Sequence, residues 1–166
     1  VKFAEQHPAM VASIVLISAP MDFPACFRSI QENCRKAMDA KDDERGLKSI
    51  DALAAMDSTK LEYSGTNFMY AMANGLYAPA ELFKEGAKLK KKVAKDPLAP
   101  WMKKSSFPPV TGFYNQEHYT IGNHMPLLAE LVKTVKVNGI FGEEDGLFTE
   151  ASLENLEQVI GGNNMY

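Results

Sequence analysis

Cysteine is scarce in this chain, with only Cys26 and Cys34 among 166 residues. Two are too few for a disulfide scaffold and have no metal-type spacing to the histidines, so a reducing cytoplasm is the expected compartment. Long apolar runs are missing as well. The stretch Val11 to Ala19 falls far short of the roughly 20 residues that a membrane helix needs, and no charged leader with a cleavage site precedes it. No membrane partner is expected. A dominant charge of one sign is absent too: the net charge is -3 and the pI is near 5.7. That balance excludes nucleic-acid binding through a broad basic face. The one dense basic run, Lys84 to Lys95, reads as a solvated helix face.

What is present is enough apolar residue for a core, 46% of the chain, which suits one domain or part of a larger one. Lys2 to His7 is helix-like and Pro8 ends it. Val11 to Ile17 is a β-branched run of strand length closed by Ser18-Ala19-Pro20, and its continuous apolar character suits a sheet covered on both faces. Helices are expected at Phe27 to Ala40, at Asp43 to Met56, from a Ser58 or Thr59 cap to Asn74, and from Pro79 to Ala94. Gly75 fits a left-handed helix end. Pro97, Pro100, Pro108 and Pro109 then punctuate a short helix and an irregular stretch ending near Asn123.

Pro126 to Thr134 is amphipathic through Leu127, Leu128, Leu131 and Val132, and it leads into a strand at Val135 to Phe141. After that strand the chain reads Gly142-Glu143-Glu144-Asp145-Gly146, and Thr149 to Ile160 is helical, ended by Gly161-Gly162. The chain begins at Val1 inside a helix-like pattern, and Asn164-Met165-Tyr166 resembles the start of another strand. A fragment is therefore expected.

Strand, acidic turn and helix place Asp145 at the carboxyl end of a strand, where α/β sheets usually carry their chemistry. Read alone, the turn is better explained by a solvated loop with a local Asp145 hydrogen bond. Glu143 and Glu144 read as solvated neighbours, and no complementary spacing supports a metal site. His7 suits a helix-end contact, while His118 and His124 sit in the irregular return. Ser18 has no base nearby in sequence. Along the third of the expected helices between 22 and 123, Tyr63, Asn67, Tyr70, Asn74 and Tyr77 recur at helical spacing opposite Leu61, Phe68 and Met72. Such a polar-aromatic face suits either a substrate pocket or a helix-to-helix contact. Trp101, Phe107, Phe113 and Tyr114 extend the same possibility to the return segment.

Three segments together resemble the α/β-hydrolase fold family, in its proline iminopeptidase-like branch with a helical cap. Phe3-Ala4-Glu5-Gln6-His7-Pro8 followed by Val11 to Pro20 is similar to the helix after the nucleophile elbow and the next strand. The helical stretch 22–123 is similar to the family's cap, and Gly142-Glu143-Glu144-Asp145 to its Gly-x-x-Asp turn. The resemblance implies a partial α/β-hydrolase core, a parallel sheet with flanking helices, interrupted by a mostly helical cap. Residues 1–21 and 124–166 would belong to the core and 22–123 to the cap.

It further implies a serine hydrolase that releases an N-terminal residue, of proline type, from small peptides through an acyl-enzyme, without metal or other cofactor. Alternatives are an esterase or other small-molecule hydrolase, or a non-catalytic hydrolase-like binding protein. Asp145 would be the triad acid, with Tyr63, Asn67, Tyr70, Phe113 and Tyr114 as substrate contacts. The sequence contains no Gly-x-Ser-x-Gly and no histidine after Asp145, although the family order is Ser, Asp, His. Nucleophile and base would then lie outside these residues, leaving the chain inactive on its own.

Overall fold

The computed structural model describes residues 1–76, 88, 92, 94–97, 99–100, 111–142 and 145–166. The helix expected from Pro79 to Ala94, together with Tyr77, Trp101, Phe107, Glu143 and Glu144, lies wholly or mostly outside them. Helix α1 spans Lys2–Gln6 and strand β1 Ser13–Ile17. Helices α2 (Phe23–Asp39), α3 (Glu44–Ala54) and α4 (Leu61–Ala73) follow. Residues 111–117 form helix α5. Helix α6 (Met125–Leu131), strand β2 (Lys136–Ile140) and helix α7 (Glu150–Ile160) complete the chain.

The two strands pair in parallel, with Ser13 opposite Lys136 and Ile17 opposite Ile140. Met165 adds a parallel bridge to Gly139 on the far side of β2, so the strand-like ending of the sequence does reach the sheet. The mixed α/β class is thereby met. One face of the sheet is buried: Leu16 and Val137 pack with Leu128 of α6 and with Leu156 and Ile160 of α7. The other is not, for Val15 is 52% and Ile17 68% exposed. Coverage of both faces, expected from the unbroken apolar run, does not occur among the described residues. Such a run records which residues favour strand, and only neighbouring elements decide which of its sides is covered.

Helices α2, α3 and α4 form a second core around Phe27, Ile30, Cys34, Ile50 and Leu53. Cys26, Ile30, Cys34 and Met38 recur at every fourth position of α2, which turns that stripe inward. The helix starts four residues before the expected Phe27, because Asp22 accepts the Ala25 amide at 2.9 Å and Pro24 suits the first turn. Asp43 caps α3 in the same way through the Gly46 amide. Neither Ser58 nor Thr59 caps α4, whose N-terminal flank is Lys60 without a side-chain bond. Thr59 bonds Asp57 instead.

At its other end α4 closes in a Schellman motif. Leu76 N bonds Ala71 O, Gly75 N bonds Met72 O, and Gly75 takes φ 76°. The helical excursion leaves and rejoins the sheet region at one point, since Asp22 and Asn123 form an antiparallel bridge and Phe23 N bonds Gly122 O.

Candidate functional site

Asp145 stands five residues beyond the end of β2, on the side where β1 also ends. Its amide donates to Gly142 O at 3.1 Å and its Oδ1 accepts from Leu147 N at 3.1 Å, an Asx-type turn. The turn is held mainly from the helical region, although Phe148 also meets Phe141, next to β2, edge-on at 5.2 Å. Gly146 N bonds Leu76 O at 3.1 Å, and Asn33 of α2 donates to Gly146 O at 2.9 Å and to Phe148 O at 3.3 Å. Leu147 belongs to the core of α2, α3 and α4. Thr149 then opens α7 with a reciprocal cap, its Oγ1 accepting from Ser152 N while Ser152 Oγ accepts from Thr149 N.

Opposite the turn, the chain leaves β1 through Ser18, whose φ is 43° and whose amide bonds Ile140 O. A left-handed serine is uncommon and costs about 1–2 kcal/mol, so it turns the backbone sharply just where the strands end. The segment that follows, with α2 and α7, lines a cleft of about 70 Å³ that includes Met21, Asp22, Cys26, Phe148 and Ser152. It is large enough for water or a few ligand atoms. Asp145 itself is not among its lining residues.

Cys26 is buried within reach of two carboxylate charges, those of Asp145 and Asp22. Burial, then the negative charge of Asp145, then that of Asp22 push its thiol up to about 12. It stays a neutral thiol at physiological pH and is unsuited to attack as a thiolate. Asp22 is occupied structurally, for its Oδ1 caps α2 and its Oδ2 accepts from Asn123.

The three histidines are elsewhere. His7 follows α1 and stacks at a tilt on Phe3, with ring centres 5.0 Å apart. His118 occupies a left-handed position beside Tyr114. His124 precedes α6, and burial followed by the Lys2 charge lowers its pKa. Among the described residues none is bonded to Asp145. Nor is any group of three or more His, Cys, Asp or Glu arranged to hold a metal ion.

The polar-aromatic side of α4 meets α2. Gln31 donates to both Tyr63 Oη and Asn67 Oδ1 at 2.9 Å, and Asn67 Nδ2 bonds Tyr63 O. With 0% exposure and both ends of its amide bonded, Asn67 acts as a fastener between helices. Tyr70 packs at the margin of the same core. Phe113 stacks on Tyr119 at 5.4 Å, and Tyr114 donates to Thr59 O at 2.7 Å. None of these five lines the cleft below β1.

Asn33, Gln31 and Tyr119 went unremarked in the sequence although they tie these parts together. Asn33 shares the stripe of Cys26 and Ser29 along α2, so a polar residue recurring beside an apolar stripe was the available signal. Tyr119 contacts Phe23, Phe113 and Tyr114, and its hydroxyl lies 3.2 Å from Ser64 Oγ. No short-range pattern announces a hub assembled from such distant segments.

Comparison with protein-family models, with curated proteins and with solved structures finds no match to this chain. Among the described residues no helix is long and apolar enough to cross a membrane.

Proposed function

We propose that the protein serves in a serine hydrolase of the α/β-hydrolase type, with Asp145 as the acid that orients a histidine base. The observation that carries this reading is the position of Asp145. It sits on a turn just past β2, at the ends of two parallel strands that open on a cleft, the usual place for the chemistry of such sheets. The serine and the histidine would come from polypeptide flanking these residues. In that arrangement the carboxylate holds the imidazole in the correct tautomer and stabilises the imidazolium formed when the serine attacks. The preferred substrate class is a small peptide carrying an N-terminal proline-type residue, with simple esters next.

The bond from Leu147 N to Asp145 Oδ1 favours a second reading, a hydrolase-like binding protein in which Asp145 only shapes its turn. Asp145→Asn separates the two. The amide oxygen keeps the Leu147 bond, so the turn survives, while the charge is lost. In the polypeptide with its natural flanks, kcat on aminoacyl and ester reporters is expected to fall by about 10⁴, with the thermal midpoint little changed. Near-normal turnover by the variant would reject the triad role, and absence of any hydrolysis by the unaltered protein would favour the binding protein.

A further inference from the structure

A second cavity, of about 260 Å³, opens between α2, the end of α3, the start of α4 and the turn at Tyr119–Ile121. Its lining includes Phe27, Arg28, Met56, Ser58, Tyr63 and Thr120. It is distinct from the cleft near Asp145. On α2 the residues Cys26 and Asn33 face the acid turn, whereas Arg28 falls on the opposite side at 3.6 residues per turn.

The polar groups here are mostly donors in want of an acceptor. Thr120 is 1% exposed and its Oγ1 has no hydrogen-bond partner, an uncommon state for a buried hydroxyl. Tyr63 Oη accepts from Gln31 Nε2, which leaves its own proton free to be donated. Arg28 is exposed and, among the described residues, makes no ion pair or hydrogen bond. Among the described residues no carboxylate lines the cavity; of the acids beside it in sequence, Asp57 is engaged with Thr59, Asp22 with the Ala25 amide and Asn123, and Glu62 is exposed on α4. Apolar surface from Pro24, Ala54 and Met56 supplies the rest. A volume near the lower end of small-molecule pockets, about 300 Å³, exceeds the need of a single water.

We propose that this cavity binds a small organic carboxylate with an apolar body. The carboxylate accepts from Arg28, Tyr63 and Thr120, while the body lies against Pro24, Ala54 and Met56. One arginine and several neutral donors suit a single negative charge, because a guanidinium and an aligned hydroxyl make charge-assisted bonds to carboxylate oxygens. The buried Thr120 hydroxyl would gain on binding the partner it lacks in the free protein.

The test is a titration of the purified, isotope-labelled protein, followed by amide chemical shifts. Phenylacetate and hexanoate are the probes, with phenylacetamide and benzylamine as neutral and cationic counterparts at matched ionic strength. Saturable shifts at Phe27, Arg28, Tyr63 and Thr120 are expected with the two carboxylates. Phenylacetamide should bind about tenfold more weakly or worse, and benzylamine should not bind.

Arg28→Gln should weaken phenylacetate about tenfold or more. Thr120→Val should weaken it several-fold while leaving the thermal midpoint of the free protein unchanged or raised, since it removes a hydroxyl with no partner. Failure of both carboxylates to saturate, equal affinity for phenylacetamide, or an unchanged affinity in both variants would overturn the proposal. The readout is binding rather than hydrolysis, so it stands or falls separately from the role of Asp145.

Discussion

Gly146 is the residue at which the acid turn comes closest to the helical region, and replacing it with alanine probes that contact directly. A Cβ on Gly146 would lie 2.7 Å from Leu76 Cβ, 2.9 Å from Leu76 Cα and 2.9 Å from Leu76 O. Two of those three atoms are backbone, and Leu76 is fixed by the Schellman closure of α4. The turn must therefore move away, stretching the Gly146 N to Leu76 O bond and the Asn33 bond to Gly146 O. Overpacking costs about 1–3 kcal/mol, and weakening a hydrogen bond adds about 0.5–1.5 kcal/mol. The lower entropy of an unfolded alanine returns about 0.4–1 kcal/mol. A net loss between about 0.5 and 4 kcal/mol, centred near 2 kcal/mol, is expected, and the central value lowers the thermal midpoint of a chain this size by roughly 4–8 °C.

Gly65→Ala is the matched control. Gly65 lies within α4 with nothing within 4 Å of the added Cβ, so the better helix former should stabilise by up to about 1 kcal/mol. Urea denaturation of both variants, with equal slopes, measures the contrast. A Gly146→Ala protein within about 0.5 kcal/mol of the parent would refute the close approach to Leu76.

Cys26 and Cys34, pushed up to about 12 and about 11 chiefly by burial, should resist thiol reagents in the native protein at pH 8 and react at once in urea. Because the unfolded thiols ionise near 8.5, the unfolded chain sheds protons first as pH rises past about 8. Stability should fall through that range and be flat below it, and Cys26→Ala should flatten the decline when urea midpoints are compared between pH 8 and 10. Asp22→Ala removes both the cap of α2 and the acceptor of Asn123 and should cost about 1–2 kcal/mol by the same denaturation measurement; a loss below about 0.3 kcal/mol would argue against these two side-chain bonds. On the open face of the sheet, Ile17→Lys should leave stability within about 0.5 kcal/mol and reduce self-association by light scattering, since a charge there blunts an exposed apolar strand.

Much of this architecture is legible in the residues themselves. The strands and most helices are written in local chemistry: β-branched runs for β1, a four-residue apolar period for α2, Asp43 and Thr149 where caps are needed, Gly75 and Gly161 where helices end. What local chemistry does not carry is which surfaces meet. Tyr63 and Asn67 form a polar-aromatic stripe that fits a pocket or a helix seam equally well, and Gln31 alone decides for the seam around Asn67. Thr120 reads as an ordinary loop residue until burial shows its hydroxyl without a partner. Likewise, the apolar character of Val15 and Ile17 is plain in the sequence, whereas their exposure depends on elements hundreds of atoms away.

The acid turn belongs mechanically to the helices more than to the strand that delivers it. Leu147 is buried in the core of α2, α3 and α4, Asn33 of α2 holds two carbonyls of the turn, those of Gly146 and Phe148, and Leu76 at the end of α4 receives the Gly146 amide. Between Gly142 and Asp145 the only described bond to the strand side is Asp145 N to Gly142 O. A rigid displacement of α2 and α4 relative to the sheet would thus carry Asp145 with it or break three hydrogen bonds and expose Leu147. At about 0.5–1.5 kcal/mol for each bond and about 1.5–3 kcal/mol for the leucine, separation costs more than the single bond from Asp145 N back to Gly142 O can offset. The position of the carboxylate is therefore set by the helical region, and a substitution that loosens α2 from α4, such as at Gln31, reaches Asp145 without touching it.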